Sequence, residues 1–219
     1  MGRVSLPELT ETPSPDRVEL PGSRGEHFLQ CALETSDRAT RFYSDQVLDH
    51  LNPVMIGFVA RMEMAFISTA DADGECDSSL RAGPAGFLRV VDSQTLVYPE
   101  YRGNGVMASL GNIMENPHVG MLMVDFTEDL IGLHVNGRAR IAPLEEFAEF
   151  VEGEAEGAGG KKVERWVVVS VQEAYIHCRK HIPRMIPVDR IRDWGTDDVK
   201  RKGGDFFEVK AGKKASVEG

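Results

Sequence analysis

Thr95-Leu-Val-Tyr-Pro-Glu-Tyr-Arg-Gly-Asn-Gly-Val-Met-Ala-Ser-Leu-Gly-Asn-Ile-Met-Glu-Asn-Pro117 is the stretch on which the fold turns. A short β run over residues 95–98 leads into it. Apolar residues then recur at Val106, Leu110, Ile113 and Met114, one face of a helix. Asn116-Pro117 ends that helix, because proline drives the residue before it out of the α region. A strand therefore feeds a Gly-Asn-Gly turn, and the turn opens a short helix. The first N–H groups of such a helix have no internal partner. Gly103 and Gly105 allow a ligand close to the backbone, and Arg102 offers a fork of donors matched to a phosphate. An anion is the natural occupant. The competing reading is a plain chain turn with Arg102 as a solvated charge. This stretch alone leaves both open.

Upstream, residues 65–69 read as a strand, 71–74 as a turn and 76–81 as its partner strand. Asp71, Asp73 and Asp77 invite a calcium-loop reading, but the distal bidentate Glu is missing, so a hairpin turn is expected. Residues 87–91 and 95–98 form a second hairpin. Downstream, residues 118–126 make an apolar strand. Residues 133–141 alternate, with Leu133, Val135, Ala139 and Ile141 apolar and His134, Asn136, Arg138 and Arg140 polar. Gly137 is expected to bend that strand or mark a bulge. Residues 143–151 read as a short helix, 153–160 as a flexible loop, and 165–171 as the most β-prone run of the chain. Hairpin-linked strands with one inserted helix favour an antiparallel barrel over an open parallel sheet. The expected fold class is mainly β (α+β): a six-stranded antiparallel split β-barrel with N-terminal helices and one inserted helix.

The ends read differently. Residues 1–22 carry Pro7, Pro13, Pro15 and Pro21 among polar residues and form an extended arm. Residues 23–60 are helical: Phe28, Leu29, Cys31 and Ala32 cluster, residues 35–37 offer a cap to a second helix, and Asn52-Pro53 starts a third. The barrel domain spans residues 61–185. Residues 186–219 form a charged, flexible tail with Phe206-Phe207 as an anchor. At 219 residues and a formal net charge of −10, the chain is long enough for a sizeable core and lacks the basic face that nucleic acid requires. No apolar run is long enough to span a bilayer and residues 1–7 lack the apolar core segment of a secretory signal, so neither a leader nor a membrane partner is expected. The three cysteines are scattered and match neither a disulfide framework nor a zinc spacing, which points to a reducing cytoplasm.

A Walker-type loop is excluded, since no Gly-Lys-Ser/Thr follows the glycines. Gly103-x-Gly105-x-x-Ala108 matches a dinucleotide-binding variant, and the next strand ends at Asp125, where a ribose contact would fall. Against it, residues 99–102 separate strand from glycine, and hairpins rather than βα units surround the motif.

Ser78-Ser-Leu-Arg81, Gly86-Phe87, Tyr98-Pro-x-x-Arg-Gly-Asn104, Ser109-Leu-Gly-Asn-Ile113, Asn116-Pro117 and Val135-Asn-Gly-Arg-Ala139 follow in order. Over about residues 45–185 the chain resembles the pyridoxamine 5′-phosphate oxidase-like family of FMN-binding split β-barrels. The resemblance implies a homodimer with FMN in clefts between two barrels. It implies that Ser78, Ser79, Leu80 and Arg81 line the flavin and its phosphate tail. Arg102, Gly103, Asn104 and Ser109 would hold the phosphate, with Tyr98 and Pro99 beside them. The segment Cys178-Arg-Lys-His-Ile-Pro-Arg184 matches the family's Cys-x-Lys…Arg element, so Lys180 and Arg184 would reach the cofactor from the second subunit. The implied activity is a flavin-dependent oxidoreductase acting on a small molecule, with a donor such as NADH or NADPH. The alternative is a split barrel that binds or senses flavin or haem without turnover; relatives of this barrel carry haem or a deazaflavin. The Trp/Arg/His pattern by which true pyridoxamine phosphate oxidases bind substrate is absent, and Trp166 and Trp194 sit in other surroundings.

Three further features have two readings each. His177, Cys178 and His181 form a His-Cys-x-x-His group, but no second ligand pair accompanies it, so no metal is expected. His134 faces the polar side of its strand and either approaches the ligand or lies at a solvated or interface position. Tyr98 and Tyr101 either border the pocket or close the barrel end.

Overall fold

The computed structural model describes residues 20–152, 163–188, 198, 200 and 203–209. Residues 1–19 of the expected arm at 1–22, the loop at 153–160 and most of the charged tail, with Trp194, lie outside the described residues. Contacts divide the chain into two units, Met1–Leu48 and Asp49–Gly219.

The first unit holds α1 (Arg24–Ala32) and α2 (Ser36–Gln46). Ser23 and Glu26 form a reciprocal capping box that satisfies two otherwise orphaned N–H groups of α1. Thr35 occupies the N-cap position of α2 without a side-chain bond. The Tyr43 hydroxyl donates to Glu26 and accepts from Gln30, tying the helices together. Neither helix contains a buried residue, so their apolar faces are not the core that the periodicity suggests.

The second unit begins with α3 (Pro53–Ala60), where Asn52 accepts from the Val54 and Met55 N–H groups and Pro53 occupies the first turn. Among the described residues seven strands follow, one more than the expected six: β1 (Met64–Ala70), β2 (Cys76–Ala82), β3 (Arg89–Asp92), β4 (Thr95–Tyr101), β5 (His118–Val124), β6 (Gly132–Ala142) and β7 (Val163–His177). All pairings are antiparallel, in the order β2-β1-β5-β6-β7-β4-β3. In the β1–β2 turn, Asp71 accepts from the Asp73 and Glu75 N–H groups. That carboxylate does turn chemistry.

Period-two alternation decides what faces the core. Ala65, Ile67 and Thr69 of β1 are buried, as are Leu133, Val135 and Ala139 of β6. Tyr98, Leu96, Met121, Met123, Val167 and Val169 complete the main core with α3 and the inserted helix α4 (Ala108–Glu115). A second cluster packs Trp166, Val97 and Val168 against Phe147 and Phe150, which belong to the 3₁₀ turn Leu144–Phe147 and to α5 (Ala148–Glu152). Gly137 is the expected bulge: the β6–β7 register shifts there, and a Cβ at 137 would lie 2.1 Å from the Ser170 carbonyl oxygen. β2 is one edge of the sheet and β4 lies next to the other, yet Arg81 of β2 bonds Glu100 of β4 at 2.9 Å. The sheet therefore curls until its edge regions meet, the closure of a barrel.

Candidate functional site

The seam where β2, β4 and α4 converge is the candidate site. Alternation along β2 turns Asp77, Ser79 and Arg81 to the seam, while Ser78 and Leu80 are exposed. The Arg81 guanidinium donates from Nε to Glu100 and from Nη1 to Ser79 Oγ, each at 2.9 Å. Ser79 Oγ lies 3.0 Å from Ser109 Oγ, and Ser109 donates to Asp77 at 2.8 Å. Because Ser109 spends its proton on Asp77 and Ser79 receives one from Arg81, Ser79 must donate to Ser109. The result is a polarised chain, Arg81 to Ser79 to Ser109 to Asp77, and Arg81 at its head also donates to the Glu100 carboxylate. Ser109 is buried within the first turn of α4.

Tyr98 stands beside this network. It is fully buried, and its hydroxyl has no hydrogen-bond partner among the described residues. Burial pushes its ionisation far above the ordinary phenol range, with Arg81 pulling the other way. The Glu100 carboxyl is pushed up by burial, against the attraction and hydrogen bond of Arg81. A buried hydroxyl with no partner is rare and marks an available donor.

The sequence-predicted residues divide. Ser79, Arg81 and Ser109 are bonded together, and Tyr98 shares the face of β4 that carries Glu100. Pro99 is buried on the side of β4 that carries Val97, paired in register with Trp166. Arg102, Gly103 and Asn104 lie in an exposed loop, where Asn104 accepts from the Val106 N–H. The helix opens at Ala108, later than the glycines suggest, because Met107 takes a left-handed conformation (φ 58°) at its N-cap. Val106 and Met114 are exposed; Leu110 and Ile113 carry the buried face. Lys180 and Arg184 are exposed, and Arg184 donates to the Glu128 carbonyl rather than to the seam. Sequence reasoning misses Asp77 and Glu100 as members of the seam. Period-two spacing from Ser79 and Arg81 signals Asp77, whereas Glu100 reaches the seam only through barrel closure.

Two other motifs resolve differently from their sequence readings. Asp125, the ribose candidate, is buried and caps its own loop. Burial alone would raise its carboxyl, but the Thr127, Glu128 and Asp129 N–H groups and the Thr127 hydroxyl outweigh that and hold it well below the carboxylate range. His177 meets not Cys178 or His181 but His134, Nδ1 to Nε2 at 3.0 Å, across β6 and β7. Tyr175 stacks on the His134 ring at 4.7 Å. Burial and then the neighbouring His177 lower the His134 pKa. Among the described residues no three His, Cys, Asp or Glu side chains converge as metal ligands. No helix among them is long and apolar enough to cross a membrane.

No curated protein matches this chain. Among solved structures, it is similar to HupZ of Group A Streptococcus: 22% identity, TM-score 0.43, covering 57% of this chain and 91% of the other. It is also similar to a putative pyridoxamine 5′-phosphate oxidase of Listeria innocua (13% identity, TM-score 0.41, covering 56% and 94%). A third is HutZ, the haem storage protein of Vibrio cholerae (15% identity, TM-score 0.38, covering 58% and 93%). The model of the pyridoxamine 5′-phosphate oxidase family matches residues 51–178, which span all seven strands and the inserted helix, and the chain accordingly belongs to that family.

Proposed function

We propose that this protein is a homodimeric, cytosolic FMN-binding oxidoreductase that holds the flavin nucleotide at the β2–β4–α4 seam. The observation that carries the reading is the polar cluster there: a buried, unpartnered Tyr98 hydroxyl and a largely buried Arg81 with donors to spare beyond Glu100 and Ser79, beside the Ser79 and Ser109 hydroxyls, whose protons a phosphate would have to win from their present partners. This set fits a phosphorylated flavin tail, which needs several short hydrogen bonds and one guanidinium. Arg102, Gly103 and Asn104 would cover the phosphate from the exposed loop. When bound, FMN would supply the hydride or electron chemistry, and the protein's contribution would be placement and hydrogen bonding. No seam side chain is required as an acid or base in this account.

The second subunit belongs to the proposal for two reasons. Lys180 and Arg184 do not reach the seam of their own chain, so their assignment to a cofactor requires another copy. A row of side chains also crosses five strands on the outer face in register: Leu80, Phe66, Leu122, His134 and Tyr175. Leu80 and Phe66 are 54% and 38% exposed. A second copy is the proposed occupant of this face, since the row continues from the β2 strand of the candidate site. The exposed cysteines Cys31, Cys76 and Cys178, none in a disulfide, suit a reducing compartment.

The test is titration with FMN followed by anaerobic NADH or NADPH. Saturating FMN at a hundredfold above its Kd is expected to add about 2.7 kcal/mol of stability, and the nicotinamide is expected to bleach the bound flavin. An FMN-saturated protein that no nicotinamide reduces would restrict the function to binding or sensing. One observation favours a second reading, haem: His134 and His177 present adjacent imidazoles, and the lowered His134 pKa keeps its ring neutral and able to ligate. Haem bound to wild type and lost from His134→Ala and His177→Ala would select it.

A further inference from the structure

We infer that Glu100 is a displaceable internal anion: it occupies Arg81 when the seam holds no ligand and yields it to an entering phosphate, so that it sets the affinity of the site. This rests on the seam being the nucleotide site. Arg81 and Glu100 form a hydrogen-bonded ion pair at 2.9 Å, with side chains only 17% and 15% exposed. A carboxylate that close to the guanidinium occupies an edge a phosphate would use, since both anions accept from the same planar fork. The two cannot share it without like-charge repulsion in a poorly solvated place. Glu100 also stands where it can yield. The β4–β7 register breaks between Glu100 and Tyr101, and residues 102–108 beyond it are exposed. A bulge at a strand end is a place where a side chain can be re-aimed without unpairing the sheet. The other end of the network repeats the device in milder form, with Asp77 holding the proton of Ser109 until a stronger acceptor arrives.

The experiment is equilibrium binding of FMN and of riboflavin, which lacks the phosphate, to wild type and Glu100→Gln. Glutamine keeps the shape and a neutral acceptor for Arg81. FMN affinity is expected to rise about tenfold in Glu100→Gln, with riboflavin changing by less than about twofold. FMN binding equal to or weaker than wild type overturns the inference, as does an equal rise for riboflavin, which would place the effect away from the phosphate. If Glu100→Gln proves poorly folded by circular dichroism, Glu100→Asp serves instead: its shorter arm loosens the pair, and it must also bind FMN more tightly. Tight FMN binding by wild type with no response to either substitution removes the gate and leaves the nucleotide reading standing. Failure of every folded protein to bind FMN or inorganic phosphate removes both.

Discussion

Removing the Tyr98 hydroxyl is expected to move stability and affinity in opposite directions. The ring is fully buried in the main core, so Tyr98→Phe retains its packing. The hydroxyl has no partner, and a buried unsatisfied polar group burdens the folded state by about 1–3 kcal/mol. Part of that relief is offset by the small void left behind, so about 1 kcal/mol of net stabilisation is expected. For a chain of this length that corresponds to a rise of about 2–4 °C in Tm for the ligand-free protein. FMN, on the proposed reading, supplies the missing partner. Losing one such bond would weaken binding by about 1 kcal/mol, roughly fivefold. Scanning fluorimetry without ligand and quenching of flavin fluorescence on titration read the two quantities separately. A fall in the ligand-free Tm would show that the hydroxyl had a partner and that the reasoning from its isolation is wrong. A higher Tm with unchanged FMN affinity would show that the hydroxyl does not serve the ligand.

Three further outcomes follow from other parts of the fold. Gly137→Ala places a methyl group into the Ser170 carbonyl and should destabilise the protein by about 3 kcal/mol, read as a lower urea midpoint with unchanged slope. The His134 pKa is lower in the folded chain than in the unfolded one, so the unfolded state takes up protons first as pH falls. Stability is therefore fully present above the ordinary imidazole range and declines on acidification through it; His134→Gln should flatten that part of the stability–pH profile. Leu80→Lys places a charge in the proposed dimer face and should shift the protein to monomer in sedimentation at micromolar concentration, with weakened FMN binding because Lys180 and Arg184 of the second copy are removed.

Much of the barrel is legible in the sequence because its signals are local. Alternation along β6 marks its buried face, Gly137 marks its bulge, and Asn52-Pro53 marks the start of α3. What is not legible depends on contacts between residues distant in sequence. β7 continues past its apolar run to His177 because β6 offers a pairing partner beyond the bulge, although Gln172 and Glu173 interrupt the pattern. The inserted helix starts late because Met107 adopts a conformation seldom expected of methionine. In the site, sequence motifs point to Ser79, Arg81 and Ser109 but not to their partners. Barrel closure brings Glu100 to Arg81, and strand register with a sharp side-chain approach brings His177 to His134. Alternation indicates the face of His134 and is silent about what sits across from it. The apolar residues of α1 and α2 show the converse: helical periodicity is correct, and burial does not follow from it.

The most direct test of the central proposal is the visible spectrum of the freshly purified protein, with mass identification of whatever it releases on denaturation. Flavin absorption and release of FMN are expected, lost together in the double variant Arg81→Met/Ser109→Ala while the fold is retained. A colourless protein that FMN neither binds nor protects from heat would contradict the proposal, as would a haem spectrum that disappears on substitution of His134 or His177.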